Sequence, residues 1–308
     1  MAKERIIGHL LIFASALIFA LNYPISKWLL STHLTPDFYL SVRLIASCVL
    51  FWGLSLFLPG EKLSRREIGI FFLCSIGGIT GNQLLFVWGL AQTSPIDASV
   101  IMTGRPILVL VFSALILREA LTREKVIGVL LGAAGATWLI IQSTTPGSGN
   151  AASSLLGNLL VFASGIVYAI YFVFSKPLSE KYQATTMMKW MFLFATLQVL
   201  PFTVPAMASA ETLLLAPLDV KAWAAIAFVF FGTSFLGYLL IPMAVRRIRP
   251  TTASMYNTIH PIVAFLLAAL LAQDVVTPEK ILATLAVLSG LYIVTRNESR
   301  ELPKAKND

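Results

Sequence analysis

The sequence contains few charged residues. Only 12% of its 308 residues are Asp, Glu, Lys or Arg, whereas 57% are hydrophobic and the mean hydropathy is +0.81. Soluble domains carry about 25% charged residues. The composition therefore excludes an ordinary soluble domain and predicts a polytopic membrane protein that contacts the lipid bilayer.

The two cysteines, Cys48 and Cys74, lie within apolar runs, which favours packed thiols over a disulfide or a metal site.

Acidic residues are missing from the middle of every long apolar run, and Glu67, Asp97, Glu119 and Asp274 lie at the edges of such runs. A carrier that exchanges protons for cationic drugs needs a buried carboxylate, so a cationic cargo is not favoured.

The chain also lacks the G-x-S-x-G, H-E-x-x-H and phosphate-binding G-x-x-x-x-G-K motifs. The sequence therefore predicts a protein that is not an enzyme and holds no cofactor or metal.

The chain contains an internal repeat. Residues 98–125 and 253–280 share ten identities at an offset of 155 (253 − 98), namely Ala98, Ser99, Thr103, Pro106, Ile107, Ala114, Leu115, Thr122, Glu124 and Lys125. The first apolar run also recurs, because residues 10–15 and 26–27 resemble residues 159–164 and 175–176. Two homologous halves in an apolar chain are typical of a membrane transporter with its substrate site between the halves.

Ten segments are long and apolar enough to cross a membrane, which takes about 20 residues each. The predicted spans are 7–29, 37–58, 67–91, 97–117, 124–142, 155–176, 186–206, 221–243, 252–272 and 279–296. We expect an all-α protein with a first repeat at 1–142, a linker at 143–154, a second repeat at 155–296 and a tail at 297–308.

The net charge of +8 comes from basic residues in short loops, which is typical of membrane topology and not of nucleic-acid binding. With the N-terminus inside, 18 of the 23 Lys and Arg residues face the cytoplasm, three face outward, and Arg43 and Arg105 lie in the membrane. We therefore expect an inner-membrane protein, monomeric or homodimeric, with both termini cytoplasmic. Because each half has five spans, the second half is predicted to be inverted relative to the first and to enclose a central cavity with it.

Arg105 and His260 each precede the repeated proline and lie deep in a predicted span. Arg105 is roughly 13 Å from the start of its span, at ~1.5 Å per residue. A charge at that depth normally faces a cavity or a partner. Arg105 is thus a candidate anchor for a carboxylate, with the alternative that it bonds carbonyls of neighbouring helices. His260 is either a binding or proton-handling residue or a neutral core residue.

Other polar and aromatic residues within the spans are candidates to line the same cavity. They are Asn22, Tyr23, Asn82, Gln83, Trp88, Tyr168, Tyr171, Tyr238, Tyr256 and Asn257. The alternative for each is a role in helix packing. Pro24, Pro106 and Pro261 remove backbone hydrogen bonds and are expected to break their helices where these line a cavity. Arg43, Glu119 and Asp274 are predicted to have structural roles.

The pattern resembles the EamA-type branch of the drug/metabolite transporter superfamily. The likeness is carried by Arg43, by Ala98-Ser99…Pro106, by Glu119-Ala-Leu-Thr122, and by the second copy Ala253-Ser254…Pro261…Asp274-Val-Val-Thr277. It covers residues 7–296. The resemblance implies a basket of spans 1, 3, 4, 6, 8 and 9 around a central cavity, with spans 5 and 10 outside it. It also implies movement of small metabolites, often amino acids and often outward.

Our hypothesis from the sequence is a secondary transporter, an exporter of small anionic or zwitterionic metabolites such as amino acids, that works by alternating access. Alternatives are an integral-membrane enzyme acting on a lipid-linked substrate and a cation or drug efflux carrier of the same superfamily. A channel and an assembly partner without cargo are further possibilities. The predicted polar residues at mid-membrane depth favour a transporter over a purely structural protein.

Overall fold

The computed structural model describes residues 2–117, 122–142, 154–207, 218–245, 247–248 and 256–301. This part of the chain folds into helices and contains no β-strand. Seven of its helices are long and apolar enough to cross a membrane, and a shorter apolar helix covers Ile259–Leu270. The predicted all-helical membrane fold is therefore confirmed, whereas the crossing of all ten segments stays a prediction.

The first half of the chain forms five helices. They are α1 (Ala2–Thr32), α2 (Pro36–Ser55), α3 (Arg65–Gln92), α4 in two segments (Pro95–Thr103 and Arg105–Leu117) and α5 (Arg123–Gln142). Glu119, residues 143–153 of the predicted linker and the tail from residue 302 lie outside the described residues.

The second half repeats this order. Its helices are α6 (Leu155–Phe174), a short helix (Lys176–Lys181), α7 (Ala184–Met207), α8 (Val220–Ala227, Phe228–Gly237 and Tyr238–Val245), α9 (Tyr256–Thr258 and Ile259–Leu270) and α10 (Pro278–Glu301).

Serine side chains begin three of the helices. Ser64 and Glu67 form a capping box at the start of α3, Ser94 accepts a hydrogen bond from the backbone N–H of Asp97, and Ser154 accepts one from Gly157. These bonds satisfy backbone donors that have no partner within the helix. Helix starts next to the membrane surface are therefore fixed locally by the sequence.

Three helices are irregular near their middle. α3 and α8 contain π-helical segments at Ile76–Gly81 and Phe228–Gly237, and these segments fall on equivalent positions of the repeat (231 − 76 = 155). α4 is interrupted at Gly104, just before Pro106, which has no backbone N–H to donate. The sequence predicted the break at Pro106 but not the π-helical segments, which are frequent at functional sites.

α5 and α10 pack closely against each other. A Cβ atom on Gly128 would lie 2.8 Å from the carbonyl oxygen of Gly290, and one on Gly135 would lie 2.7 Å from the carbonyl oxygen of Ala283. Small residues allow two backbones in a membrane to approach this closely. The other helices pack around α1, which contacts α3, α4, α8 and α9.

The hydrogen bonds between helix ends show which way the helices run. Lys27, near the end of α1, donates to the carbonyls of Leu90 and Ala91 at the end of α3. The backbone N–H of Ser154, at the start of α6, donates to the carbonyl of Gln92. α1 therefore begins at one end of the bundle, here named the α1 end, and α6 begins at the other, the α6 end.

Candidate functional site

Arg105 lies at the break in α4, partly buried between helices. Its guanidinium carbon is 4.8 Å from the centre of the Tyr168 ring on α6. Gly165, one turn earlier on α6, also faces α4, because a Cβ atom there would lie 3.1 Å from Leu108 Cδ1 and 3.8 Å from Arg105 Cγ. The buried Nε of Arg105 has no hydrogen-bond partner among the described residues, and no ion pair to Arg105 is found there. A cation–π contact thus orients a guanidinium whose hydrogen-bonding capacity is unused.

His260 on α9 faces two aromatic residues of α1. The ring centres of Phe19 and Tyr23 lie 6.5 Å and 6.0 Å from that of His260. The buried Nε2 of His260 also has no hydrogen-bond partner in the described part of the chain. α9, which carries His260, packs against the first segment of α4, which ends next to Arg105. The structure therefore brings Arg105 and His260, from equivalent positions of the two halves, into one cluster.

Gln83 and Tyr238 connect the two halves directly. Gln83 Nε2 donates a 3.2 Å hydrogen bond to the Tyr238 hydroxyl, and the two residues are equivalent in the repeat (238 − 83 = 155). Phe19 packs edge-on against Tyr238, with 5.4 Å between ring centres. This hydrogen bond joins α3 of the first half to α8 of the second half.

Four predicted residues have partners within the packed helices. Asn22 accepts a hydrogen bond from Ser26, Asn82 donates to the carbonyl of Ser164, and the Tyr171 hydroxyl donates to the sulfur of Met191. Tyr23 is buried edge-on against Phe86. Tyr168 and Tyr171 pack together, so only the Tyr168 face reaches Arg105.

Two predicted residues lie away from Arg105. Trp88 is 39% exposed near the end of α3 and donates a 3.2 Å hydrogen bond to Asp37. The Tyr256 hydroxyl is 2.9 Å from Nδ1 of His9, near the start of α1. The side chain of Asn257 lies outside the described residues. The sequence grouped these residues by depth alone, and depth does not say which way a side chain points.

The predicted structural residues have the following partners. Arg43, buried in α2, donates a 2.9 Å hydrogen bond from Nε to the hydroxyl of Ser234 on α8. Pro24 was predicted to break its helix, but α1 continues without interruption from Ala2 to Thr32, so that prediction is wrong. The Pro24 carbonyl accepts a hydrogen bond from Gln273. Asp274 accepts 2.6 Å and 2.7 Å hydrogen bonds from Lys280.

The sequence analysis missed a buried ionic network at the α6 end. Lys280 is 1% exposed and lies 3.4 Å from Asp97 as well as beside Asp274. Asn158 on α6 donates to Asp97 at 3.3 Å and accepts a hydrogen bond from Thr93. The sequence does show that Asp97 and Lys280 both lie at helix starts. Their burial, however, depends on the packing of α4, α6 and α10.

The aromatic walls around Arg105 and His260 were also incomplete in the sequence analysis, which did not include Phe19, Phe86 or Phe192. Phe192 on α7 packs edge-on against Tyr238. A shallow depression that is too small to hold a ligand lies between α2 and α7, and is lined by Ser41, Leu44, Ile45, Thr196, Val199 and Leu200. The described residues contain no group of His, Cys, Asp and Glu suited to a metal ion.

Together these residues place a guanidinium with an unpaired Nε beside Tyr168, and aromatic residues of α1 beside His260. A guanidinium binds a carboxylate through paired hydrogen bonds, and the low dielectric of a membrane interior strengthens such a bond. The arrangement offers no nucleophile next to a base. Such an arrangement can bind an anionic group.

Comparisons with known proteins identify the family of the chain. The chain is 25% identical to the uncharacterized transporter YyaM of Bacillus subtilis, with 81% of this chain and 80% of that protein covered. It is 24% identical to a Streptantibioticus cattleyicolor protein named "Probable terminal-alkyne amino-acid exporter", with 75% and 74% covered. A solved crystal structure has the same fold, with a TM-score of 0.60 at 17% identity over 97% of this chain and 99% of that one. The model of the EamA-like transporter family matches residues 6–141 and 155–296, and this chain therefore belongs to the EamA-like transporter family.

Proposed function

We propose that this transporter exports a small anionic or zwitterionic metabolite, with amino acids as the leading class. The observation that carries the proposal is Arg105, a partly buried guanidinium stacked on Tyr168 without a hydrogen bond or ion pair among the described residues. A charge in a membrane interior is costly unless it has a partner. A substrate carboxylate supplies that partner during transport. The name of the Streptantibioticus relative, an amino-acid exporter, supports the same class.

In this mechanism the two halves are inverted five-helix repeats that move relative to each other around the Arg105–His260 cluster. The opposite directions of α1 and α6 and the Gln83–Tyr238 contact between equivalent residues support this arrangement. Inverted repeats allow a single site to open to either side by exchanging the conformations of the two halves. The excess of Lys and Arg in the loops on the side of the N-terminus supports an orientation with the α1 end in the cytoplasm, as expected for an inner-membrane protein.

In the proposed site, Arg105 holds the carboxylate and Tyr168 fixes the orientation of the guanidinium. His260 supplies a further nitrogen for a polar group of the substrate, while Phe19, Tyr23 and Tyr238 surround its apolar part. Pro106 and Pro261 keep the helices irregular where the substrate binds. A cationic drug is the less favoured cargo, because the charge of Arg105 repels it. A lipid-linked substrate acted on by an enzyme is not favoured either, because only His260 offers a base.

A thermal-shift screen of purified protein tests this proposal. Amino acids, other carboxylates, nucleobases and quaternary amines are added to the wild type, Arg105→Ala and Arg105→Lys. A bound ligand at about 100 times its dissociation constant stabilises a protein by ~2.7 kcal/mol. We expect a carboxylate-bearing class to stabilise the wild type, to stabilise Arg105→Lys less, because an ammonium cannot form the paired bonds, and to leave Arg105→Ala unchanged.

Arg66→Ala is the matched control, because Arg66 is an exposed arginine at the start of α3. It should respond to ligands as the wild type does. Stabilisation of wild type and Arg105→Ala alike by carboxylates contradicts the anchor role, and stabilisation by quaternary amines supports a drug carrier instead. If Arg105→Ala and Arg105→Met both fail to fold without any ligand, Arg105 is a structural residue.

A further inference from the structure

Close backbone contacts join the two halves at each end of the bundle. At the α1 end, a Cβ atom on Gly8 of α1 would lie 2.7 Å from Ile248 Cγ2 and 2.9 Å from Arg247 Cβ, both just beyond α8. Ile12, Ala244 and Ile248 form a small buried cluster there, separate from the main core. This contact is named the α1–α8 contact.

The corresponding contact at the α6 end joins α6 to the end of α3. A Cβ atom on Gly157 would lie 2.7 Å from the carbonyl carbon and oxygen of Gln92 and 2.9 Å from the backbone nitrogen of Thr93. A Cβ atom on Gly89 would lie 2.9 Å from the carbonyl oxygen of Gly157. This contact is named the α3–α6 contact.

The two contacts are made by equivalent residues of the repeat. Gly8 corresponds to Gly157 and Ile12 to Val161 at the offset of the first helix (157 − 8 = 149 and 161 − 12 = 149). On the other partner, Gly89 corresponds to Ala244 and Thr93 to Ile248 at the offset of the later helices (244 − 89 = 155 and 248 − 93 = 155). The same pair of surfaces therefore closes both ends of the molecule.

Polar residues beside each glycine follow the same correspondence. His9 next to Gly8 is hydrogen-bonded to Tyr256 of α9, and Asn158 next to Gly157 is hydrogen-bonded to Thr93 of α3 and to Asp97 of α4. Each hydrogen bond joins a helix of one half to a helix of the other. Both ends are thus held by a glycine contact and an adjacent polar bond.

We propose that the α1–α8 and α3–α6 contacts are the two gates of this transporter, each closing one end of the path to the Arg105–His260 cluster. Both contacts cross between the halves, so a relative movement of the halves must separate one of them to open that end. Both are closed in this structure. Gly8 and Gly157 are the residues that permit closure, because any side chain there would overlap the opposite helix. The proposal rests on alternating access but not on the identity of the substrate.

The two gates differ in how tightly the glycine is enclosed. The Cβ position of Gly157 meets backbone atoms, which cannot move away without shifting α3, whereas that of Gly8 meets side-chain atoms of Ile248 and Arg247. We therefore expect Gly157→Ala to open its gate and Gly8→Ala to be partly accommodated. A larger residue, as in Gly8→Leu, is needed to hold the α1–α8 contact open.

The test measures access to the cluster from each side of the membrane. In a background without Cys48 and Cys74 (both changed to Ser), Phe86→Cys places one thiol in the aromatic cluster beside Tyr23. A membrane-impermeant thiol reagent is applied to right-side-out and to inside-out vesicles. Gly157→Leu should raise labelling from the α6 end about tenfold and lower it from the α1 end, as for a shift between two populated states. Gly8→Leu should do the reverse.

The proposal is overturned if the labelling changes equally from both sides of the membrane, or if it does not change at all. If the Leu variants do not reach the membrane, Gly157→Ala and Gly8→Ala replace them. In that case, labelling of Gly157→Ala that matches the wild type from both sides also overturns the proposal. The labelling needs no substrate, so it is separate from the ligand screen. Arg105→Ala should keep the wild-type sidedness even though it loses carboxylate binding.

Discussion

At the two ends of the bundle, equivalent residues of the repeat join the two halves, but the chemistry around them differs. At the α6 end, Lys280, Asp97 and Asp274 form a buried ionic network with exposures of 1% or less. At the α1 end the ion pairs are exposed, and the side chains of Arg247 and Glu4 are 31% and 62% accessible. Lys181 pairs with Glu67 there, and this carboxylate raises the pKa of the Lys181 ammonium.

This difference indicates which end is harder to open. Exposed ion pairs contribute little and are screened by salt, so water can replace them at small cost. A buried pair that is separated leaves charges without partners in a low-dielectric environment. We therefore expect the resting protein to stay closed at the α6 end and to open more readily at the α1 end, where an exporter takes up its substrate.

The largest expected effect comes from removing the central cation of the buried network. Lys280→Met leaves Asp97 and Asp274 without their ammonium partner and should lower the free energy of unfolding by about 3–5 kcal/mol. Arg247→Met at the α1 end should lower it by about 0.2–1 kcal/mol. Denaturant unfolding in detergent measures both variants, and a similar loss for the two would remove the proposed difference between the ends.

A smaller effect is expected from the equivalent polar residues His9 and Asn158. Asn158→Ala leaves buried Thr93 and Asp97 without one partner each and should cost about 1–3 kcal/mol. His9 is only partly buried and bonds only Tyr256 among the described residues, so His9→Ala should cost about 0.5–1.5 kcal/mol. Unfolding of both variants under identical conditions checks the order, and a larger loss for His9→Ala contradicts it.

The smallest difference is expected between the helix caps at the two ends. Ser64→Ala removes the cap of α3 at the α1 end, and Ser154→Ala removes the cap of α6 at the α6 end. Each should cost about 0.5–2 kcal/mol, because each replaces one local side-chain bond to a helix N–H. Thermal unfolding measures the loss of stability of both variants. A loss for Ser154→Ala that exceeds the loss for Ser64→Ala by more than about 1 kcal/mol would show that Ser154 also supports the α3–α6 contact.

Much of the fold was predictable from the sequence, since hydrophobic runs in a membrane protein have few alternatives to helices. The break of α4 before Pro106 followed from proline chemistry. The π-helical segments in α3 and α8 were not predicted, because they depend on how these helices pack against α6 and α1 as well as on their glycines.

The candidate site was predictable in part. Arg105 and His260 were selected by depth and by the repeat, whereas Gln83 and Tyr238 were selected by depth only, and the structure shows that Gln83 and Tyr238 contact each other. Trp88 and Tyr256 were selected on the same grounds but point elsewhere, toward Asp37 and His9. Depth along a helix can be read from the chain, whereas side-chain direction depends on the rotation that packing gives to each helix.

The sequence by itself determined the helical membrane fold, the two related halves and the position of the unusual arginine. It did so because hydropathy, proline and charge act locally along the chain. Only the tertiary structure decided that Arg105 lies on Tyr168, that Lys280 is enclosed by two carboxylates, and that Gly8 and Gly157 lie at the two closures. Except for the pairing of Lys280 with the nearby Asp274, those facts join residues more than 60 positions apart, and no local preference of the backbone specifies such contacts.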